Sequence, residues 1–195
     1  FSLKGMDARL GGAMDDISVL MTYVALDRYS TPNGLLGFVI TQSIFKTSGG
    51  GKGFRRLQIG DKEKIEVVQV DDMQELKPFD NVGNQTAVIV LRKGGETKYP
   101  LAYNYWQKTA KGRAIHSADT LDEVMNSIVK KVWIAEPVNR NDLTSQWLTG
   151  LPKAIPAVRK VLGQSRYTAR HGVHTWRSSV YWVDIVGTRP DGLVV

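Results

Sequence analysis

KIEVVQVDDMQELKPFDNVGNQTAVIVLRK, residues 64–93, holds two runs of β-branched residues, 64–70 and 86–92, separated by a polar stretch with Pro78, Phe79 and Gly83. Such runs predict two short, central strands. Upstream, LLGFVI at 35–40 is apolar on both faces, as expected of a strand covered on both sides of a parallel sheet. Before it, DDISVLMTYVALDRY at 15–29 places Ile17, Leu20, Met21, Val24 and Ala25 at helical spacing, with Asp15 or Asp16 as the N-cap. Thr31-Pro32-Asn33-Gly34 stops that helix, because Pro32 cannot continue it and Asn33-Gly34 tolerates the positive φ of a tight turn. The unit is therefore helix, turn, buried strand, followed by two further strands.

Between them, Ser48 to Gly53 reads as a flexible loop, with Phe54 to Leu57 opening a short helix. A phosphate-cradling P-loop needs Gly five residues before its Gly-Lys pair and Ser or Thr after it; Lys46 and Gly53 stand there instead. Beyond Lys93-Gly94-Gly95 the chain changes character. TKYPLAYNYWQK at 97–108 is aromatic and weakly alternating, and Thr120 to Lys131 predicts a helix with Glu123 at the capping-box position. Asn139 to Asp142 reads as a connector, and an amphipathic segment from Pro156 to Leu162 leads through Gly163 to strand-like residues around Ser178-Ser179. The chain ends after an Asp191-Gly192 turn.

With 195 residues, 42% of them hydrophobic, the chain has enough apolar side chains for a core. The absence of cysteine excludes disulfides, cysteine-ligated clusters and thiol catalysis, and fits a reducing, cytoplasmic setting. No apolar run approaches the ~18 residues of a membrane span, and the start lacks a secretory leader's apolar core, so no membrane partner is expected. The net charge of +7 favours a polyanionic partner. From Lys153 to Arg177 stand Lys153, Arg159, Lys160, Arg166, Arg170 and Arg177 with no acidic residue, interleaved with Tyr167, His171, His174 and Trp176. This run is either a solvated basic face or a surface that contacts the phosphate backbone of double-stranded DNA.

Three segments in order resemble the adenine-specific (N6) DNA methyltransferases of restriction-modification systems. DISVLMTYVALDRYSTPNGLLGFVI (16–40) is similar to the helix, Gly turn and strand that follow that family's catalytic tetrapeptide. TQSIFKTSGGGKGFRR (41–56) resembles the next loop, where a Gly and an Arg recur before a helix. Residues 64–93 are similar to the family's last two strands, with a Phe in the connecting loop and a Thr in the returning strand. RYTARHGVHTWRSSVYWVDI (166–185) looks like the opening of its target-recognition domain. The family often carries Pro where this chain has Thr41, and the loop at Gly49 to Gly53 is richer in glycine.

The resemblance implies an α/β fold: the C-terminal half of a Rossmann-like methyltransferase sheet in 1–108, a helical connector in 109–150, and the first strands of a recognition domain in 151–195. The sheet should be parallel at 35–40 and 64–70, with 86–92 antiparallel. It implies methyl transfer from S-adenosylmethionine to adenine N6 in DNA, with the base flipped out of the helix and stacked on Phe79. A loop Phe without that motif is more often a core plug, and Thr86 opposite it is read as a strand residue. The chain has no Gly-rich cofactor loop and no Asn-Pro-Pro-Tyr or Asp-Pro-Pro-Tyr. It begins at Phe1, so both are expected in a missing N-terminal half of the same polypeptide. No catalytic residue, cofactor or metal is therefore assigned to this chain, and it should be inert alone.

The rival is a stand-alone, non-catalytic nucleic-acid-binding or assembly domain working through its basic C-terminal segment. Asp71, Asp72 and Glu75 with Lys77 invite comparison with a metal-dependent nuclease, but too few residues separate Asp72 from Glu75 to turn a hairpin, so capping of the strand end is the better account. His116, His171 and His174 have neither a third metal ligand nor a nucleophile and orienting acid beside them, and are read as surface or DNA-facing residues.

Overall fold

The computed structural model describes residues 17–47, 49–79, 83, 85–109, 112, 115–116, 118–163, 167, 186–190 and 192–194. The expected N-cap at Asp15 or Asp16, and Arg166, Arg170, His171, His174 and Arg177, lie outside them. The chain divides into two units, residues 1–160 and 161–195. In the second, β8 (Gly187–Arg189) and β9 (Gly192–Val194) pair antiparallel.

The first unit opens with α1 (Ile17–Tyr29) and β1 (Leu35–Thr41), joined by the expected turn, in which Asn33 takes φ 62°. A 3-10 turn (Gln42–Phe45) and α2 (Gly49–Phe54) follow. Then come β2 (Gln58–Ile59), β3 (Glu63–Asp72), β4 (Thr86–Lys93) and β5 (Leu101–Lys108). The unit closes with α3 (Leu121–Ser127), β6 (Ile128–Pro137), β7 (Trp147–Gly150) and α4 (Ile155–Val161). The seven strands form one mostly antiparallel sheet in the order β1-β4-β3-β5-β6-β7, with β2 added beside the start of β3. β4 lies antiparallel between β1 and β3, which therefore run the same way, as expected. Among the described residues, only the β3–β5 pair is parallel.

Four expectations are corrected. β1 is not covered on both faces: Leu35 and Val39 are exposed, Ile40 on the other face is buried, and no strand among the described residues lies along its outer edge. α1 turns Val19, Thr22, Tyr23 and Leu26 inward and leaves Ile17, Leu20 and Met21 exposed; the sequence has two apolar stripes and the core takes the other one. The glycine tract is not a flexible loop but α2 itself. The segment 109–150 is not a helical connector either. Its helix has the predicted Thr120–Glu123 capping box but ends at Ser127, because Ile128, Val129 and Val132 pair as strand residues with β5.

Beneath the sheet, Phe45 stacks on Trp147 at 4.7 Å, and Phe54 and Tyr103 meet Phe45 edge-on. Arg55, 2% exposed, donates Nε to the Thr144 carbonyl (2.9 Å), Nη2 to Thr47 (2.7 Å) and Nη1 to Ile44. Burial brings this guanidinium down to about 10. A Cβ on Gly51 would lie 2.8 Å from Arg55 Nη1 and 2.5 Å from the Ile44 carbonyl. The Gly and Arg singled out in the sequence are thus one packing device. At the other end of the sheet, Lys93 Nζ caps the end of α1 through the Asp27 (3.0 Å) and Ser30 (3.2 Å) carbonyls.

Candidate functional site

Because β1 and β3 run together and β4 runs back between them, the carboxyl ends of β1 and β3 meet the start of β4. Thr41 stands opposite Thr86, and Asp72 opposite Ala87. In sheets of α and β elements, ligand chemistry gathers where strand ends open into loops. Here the loop that follows β3 carries Phe79.

That loop is held at both ends. Met73 N donates to Thr86 O (3.0 Å), Gln42 N to Gln85 O (2.8 Å), and the Leu76 and Lys77 amides to Met73 O (3.0 and 3.2 Å). Leu76 is 4% exposed and anchors the turn, while Phe79 is 51% exposed. Phe79 is therefore no core plug; it presents an aromatic face to solvent from a pinned loop. Thr86 is buried in the strand, and Thr41 Oγ1 is buried without a hydrogen-bond partner. A proline, which has no hydroxyl, would relieve that deficit at Thr41.

A polar network underlies the loop. Asp72, 2% exposed, accepts from Tyr103 Oη, from Gln42 Nε2 (3.3 Å) and, through Oδ1, from Gln74 N (2.9 Å). The last bond caps the strand end, as the spacing of the carboxylates suggested. Burial, reinforced by Asp72, holds the Tyr103 phenol far above its ordinary range. Asp71 points to the opposite face, where Oδ1 accepts from Asn104 Nδ2 (2.9 Å) and Trp106 Nε1 (2.8 Å) and Oδ2 from Gln69 Nε2 (2.5 Å). Tyr105 is pushed up to about 12 by burial and by the neighbouring Glu75 carboxylate. Burial lowers the Lys46 ammonium, against the attraction of Asp72. The two aspartates thus organise the end of the sheet with amide, indole and phenol donors. Among the described residues, no three His, Asp or Glu side chains converge as metal ligands.

Gln42, Tyr103, Asn104 and Trp106 were not singled out in the sequence. Alternation along 97–108 separates Tyr103 and Tyr105 from Asn104 and Trp106, but the parallel register that sets Asn104 beside Asp71 is not written in either strand alone. The described end of the sheet combines a half-exposed aromatic ring, Phe79, with a buried polar network around Asp72. Gly51 of α2 packs against Arg55, whereas a Cβ added at Gly53 would meet nothing within 4 Å.

Of the basic residues, Lys153 and Lys160 are exposed. Arg159 is turned inward: Nε donates to Glu136 Oε1 (2.5 Å), Nη1 to Val138 O (2.9 Å) and Nη2 to Pro137 O (2.6 Å). It fastens α4 to the end of β6, with every guanidinium nitrogen bonded inside the protein.

No family model and no curated protein matches the chain. Among solved structures, it is similar to a protein of Vibrio vulnificus YJ016 assigned as a modification subunit of a type I restriction enzyme, with a TM-score of 0.40 and 13% identity. The match covers 59% of this chain and 27% of that one, so the chain spans about a quarter of that protein's length. No helix among the described residues is long and apolar enough to cross a membrane.

Proposed function

We propose that this chain is the C-terminal part of the catalytic domain of an adenine-specific DNA methyltransferase of the restriction-modification kind, followed by the start of its target-recognition domain. The observation that carries this reading is β4 lying antiparallel between like-directed β1 and β3, with Thr86 and the half-exposed Phe79 at the end where they meet. That arrangement was expected from the resemblance of residues 16–93 and from no other feature of the sequence. In the whole enzyme, S-adenosylmethionine supplies the methyl group, bound by residues outside this chain together with the catalytic tetrapeptide.

This chain's part is positional. Flipping an adenine costs a few kcal/mol of stacking and pairing. Phe79 offsets part of that by stacking on the extruded base, and the bonds from Met73 and Leu76 fix the turn that leads to it. Lys153, Lys160, Arg166, Arg170 and Arg177 meet phosphates of double-stranded DNA, while Arg159 holds α4 in place. The test is the coding DNA on the 5′ side of the Phe1 codon. An in-frame Asn-Pro-Pro-Tyr or Asp-Pro-Pro-Tyr shortly upstream, with a Gly-rich loop farther back, is the expected result. A stop codon or a translation start directly before Phe1 would overturn the proposal.

A further inference from the structure

β3 ends at Asp72, opposite Tyr105, but β5 continues to Lys108 paired with β6 alone: Trp106 with Lys130, Gln107 with Val129, Lys108 with Ile128. β7 pairs with the other end of β6, at Ile134 to Pro137. Residues 105–108 and 128–131 therefore form a two-stranded ribbon that overhangs the end of β3 by three residues, about 10 Å at ~3.4 Å per residue.

The ribbon's side chains combine held aromatic rings with cations. On one face Tyr105 stacks on Trp133 at 4.0 Å with the rings 3° from parallel, and Lys131 stands opposite Tyr105. On the other, Lys130 Nζ sits 5.7 Å from the centroid of Trp106, whose Nε1 is bonded to Asp71. Lys130 and Lys131 are exposed and Lys108 half-exposed. None of the three has an ion-pair partner among the described residues, whereas the carboxylates of Asp71 and Glu123 are bonded to Trp106 and Thr120. Asp72, opposite Tyr105, ends β3 and leads into the loop that carries Phe79.

We propose that the β5–β6 ribbon is a DNA-contacting arm beside the target base, with Lys108, Lys130 and Lys131 on phosphates of double-stranded DNA; this rests on the function proposed above. A two-stranded ribbon has the width that the major groove of B-form DNA admits. The held aromatic rings keep the strand pair stiff, so the lysines meet the backbone at fixed spacing. The arm lies apart in sequence from the basic run at 153–177.

The experiment uses the protein from the intact reading frame and a short fluorescein-labelled DNA duplex, with fluorescence anisotropy followed across a salt series. The Lys108→Gln/Lys130→Gln/Lys131→Gln variant should bind more than tenfold more weakly near physiological salt. Its plot of log Kd against log salt should be shallower by about 0.9 for each lysine in contact. Lys62→Gln/Lys64→Gln, near the start of β3, serves as control and should leave both unchanged. Wild-type affinity and slope in the triple variant, alongside normal adenine methylation by the wild type, would overturn the arm and leave the proposed function standing. A loss confined to single-stranded RNA would also overturn it. A wild-type enzyme that neither binds the duplex nor methylates adenine would remove both proposals.

Discussion

Replacing Arg159 by Gln separates two accounts of one residue. By its place in a basic run it belongs to a DNA-facing surface; by its bonds it belongs to the protein interior. The substitution removes the Nε bond to Glu136 (2.5 Å) and the bonds to Val138 and Pro137 carbonyls (2.9 and 2.6 Å). Glu136, its side chain 10% exposed, keeps only Arg140, which is 3.4 Å away and 70% exposed. Removing one partner of a buried pair costs about 3–5 kcal/mol. The Arg159 side chain is 20% exposed and Arg140 remains as a weak substitute, so a loss of roughly 2–3 kcal/mol is expected. At about 2–4 °C per kcal/mol for a domain of this size, the midpoint falls by roughly 5–10 °C. Thermal unfolding followed by tryptophan fluorescence reads it, since Trp147 is 2% exposed in the core. The salt dependence of DNA binding should not change. An unchanged midpoint together with a salt slope reduced by about one would refute the structural role and restore Arg159 to the phosphate backbone.

Two further outcomes test the packing. Gly51→Ala should lower the urea midpoint by an amount equivalent to about 1–3 kcal/mol, because its Cβ would lie 2.5 Å from the Ile44 carbonyl, whereas Gly53→Ala, with nothing within 4 Å, should be neutral or slightly stabilising; equal effects at the two sites would contradict the Gly51–Arg55 device. Tyr23 and Tyr103 are both raised from the ordinary value of 10.0 by burial. Their contribution is therefore complete below pH 10 and is lost as pH rises above it, where the unfolded chain releases protons that the folded chain keeps, at about 1.4 kcal/mol per pH unit for each group. Phenolate absorbance should show these two tyrosines titrating only as the chain unfolds; all 7 tyrosines ionising in a single transition near pH 10 in a folded chain would contradict it.

The strands of 35–41, 63–72 and 86–93 were legible because β-branched runs and a Pro-Asn-Gly turn are local signals, and their relative direction came from the resemblance. The covering of those strands was not legible. LLGFVI is apolar on both faces, yet its apolar character does not say whether a partner lies over Leu35 and Val39, and among the described residues none does. The end of α3 was misjudged because VMNSIVKK suits helix or strand equally, and its pairing with residues 101–108, some twenty positions earlier, decides for strand. At the candidate site, the sequence pointed to Phe79 through the resemblance, and the structure leaves its side chain half-exposed. Asp72 was named as a strand-end cap, but its partners Tyr103 and Gln42 were missed because the buried network joins elements that are distant in sequence. Arg159 looked like its exposed neighbours until Glu136 appeared beside it.

The central claim is that Phe79 serves adenine methylation in the protein to which this chain belongs. The intact reading frame, expressed in a host without adenine methylation of its own, tests it when the genomic DNA is digested and its nucleosides are quantified by mass spectrometry. N6-methyladenine should accumulate with the wild type. It should fall by about tenfold or more with Phe79→Ala, since base-aromatic stacking contributes about 1–3 kcal/mol, while the thermal midpoint stays unchanged because Phe79 is half-exposed. DNA free of N6-methyladenine despite full-length, folded protein, or a Phe79→Ala variant that methylates as well as the wild type, would contradict the account.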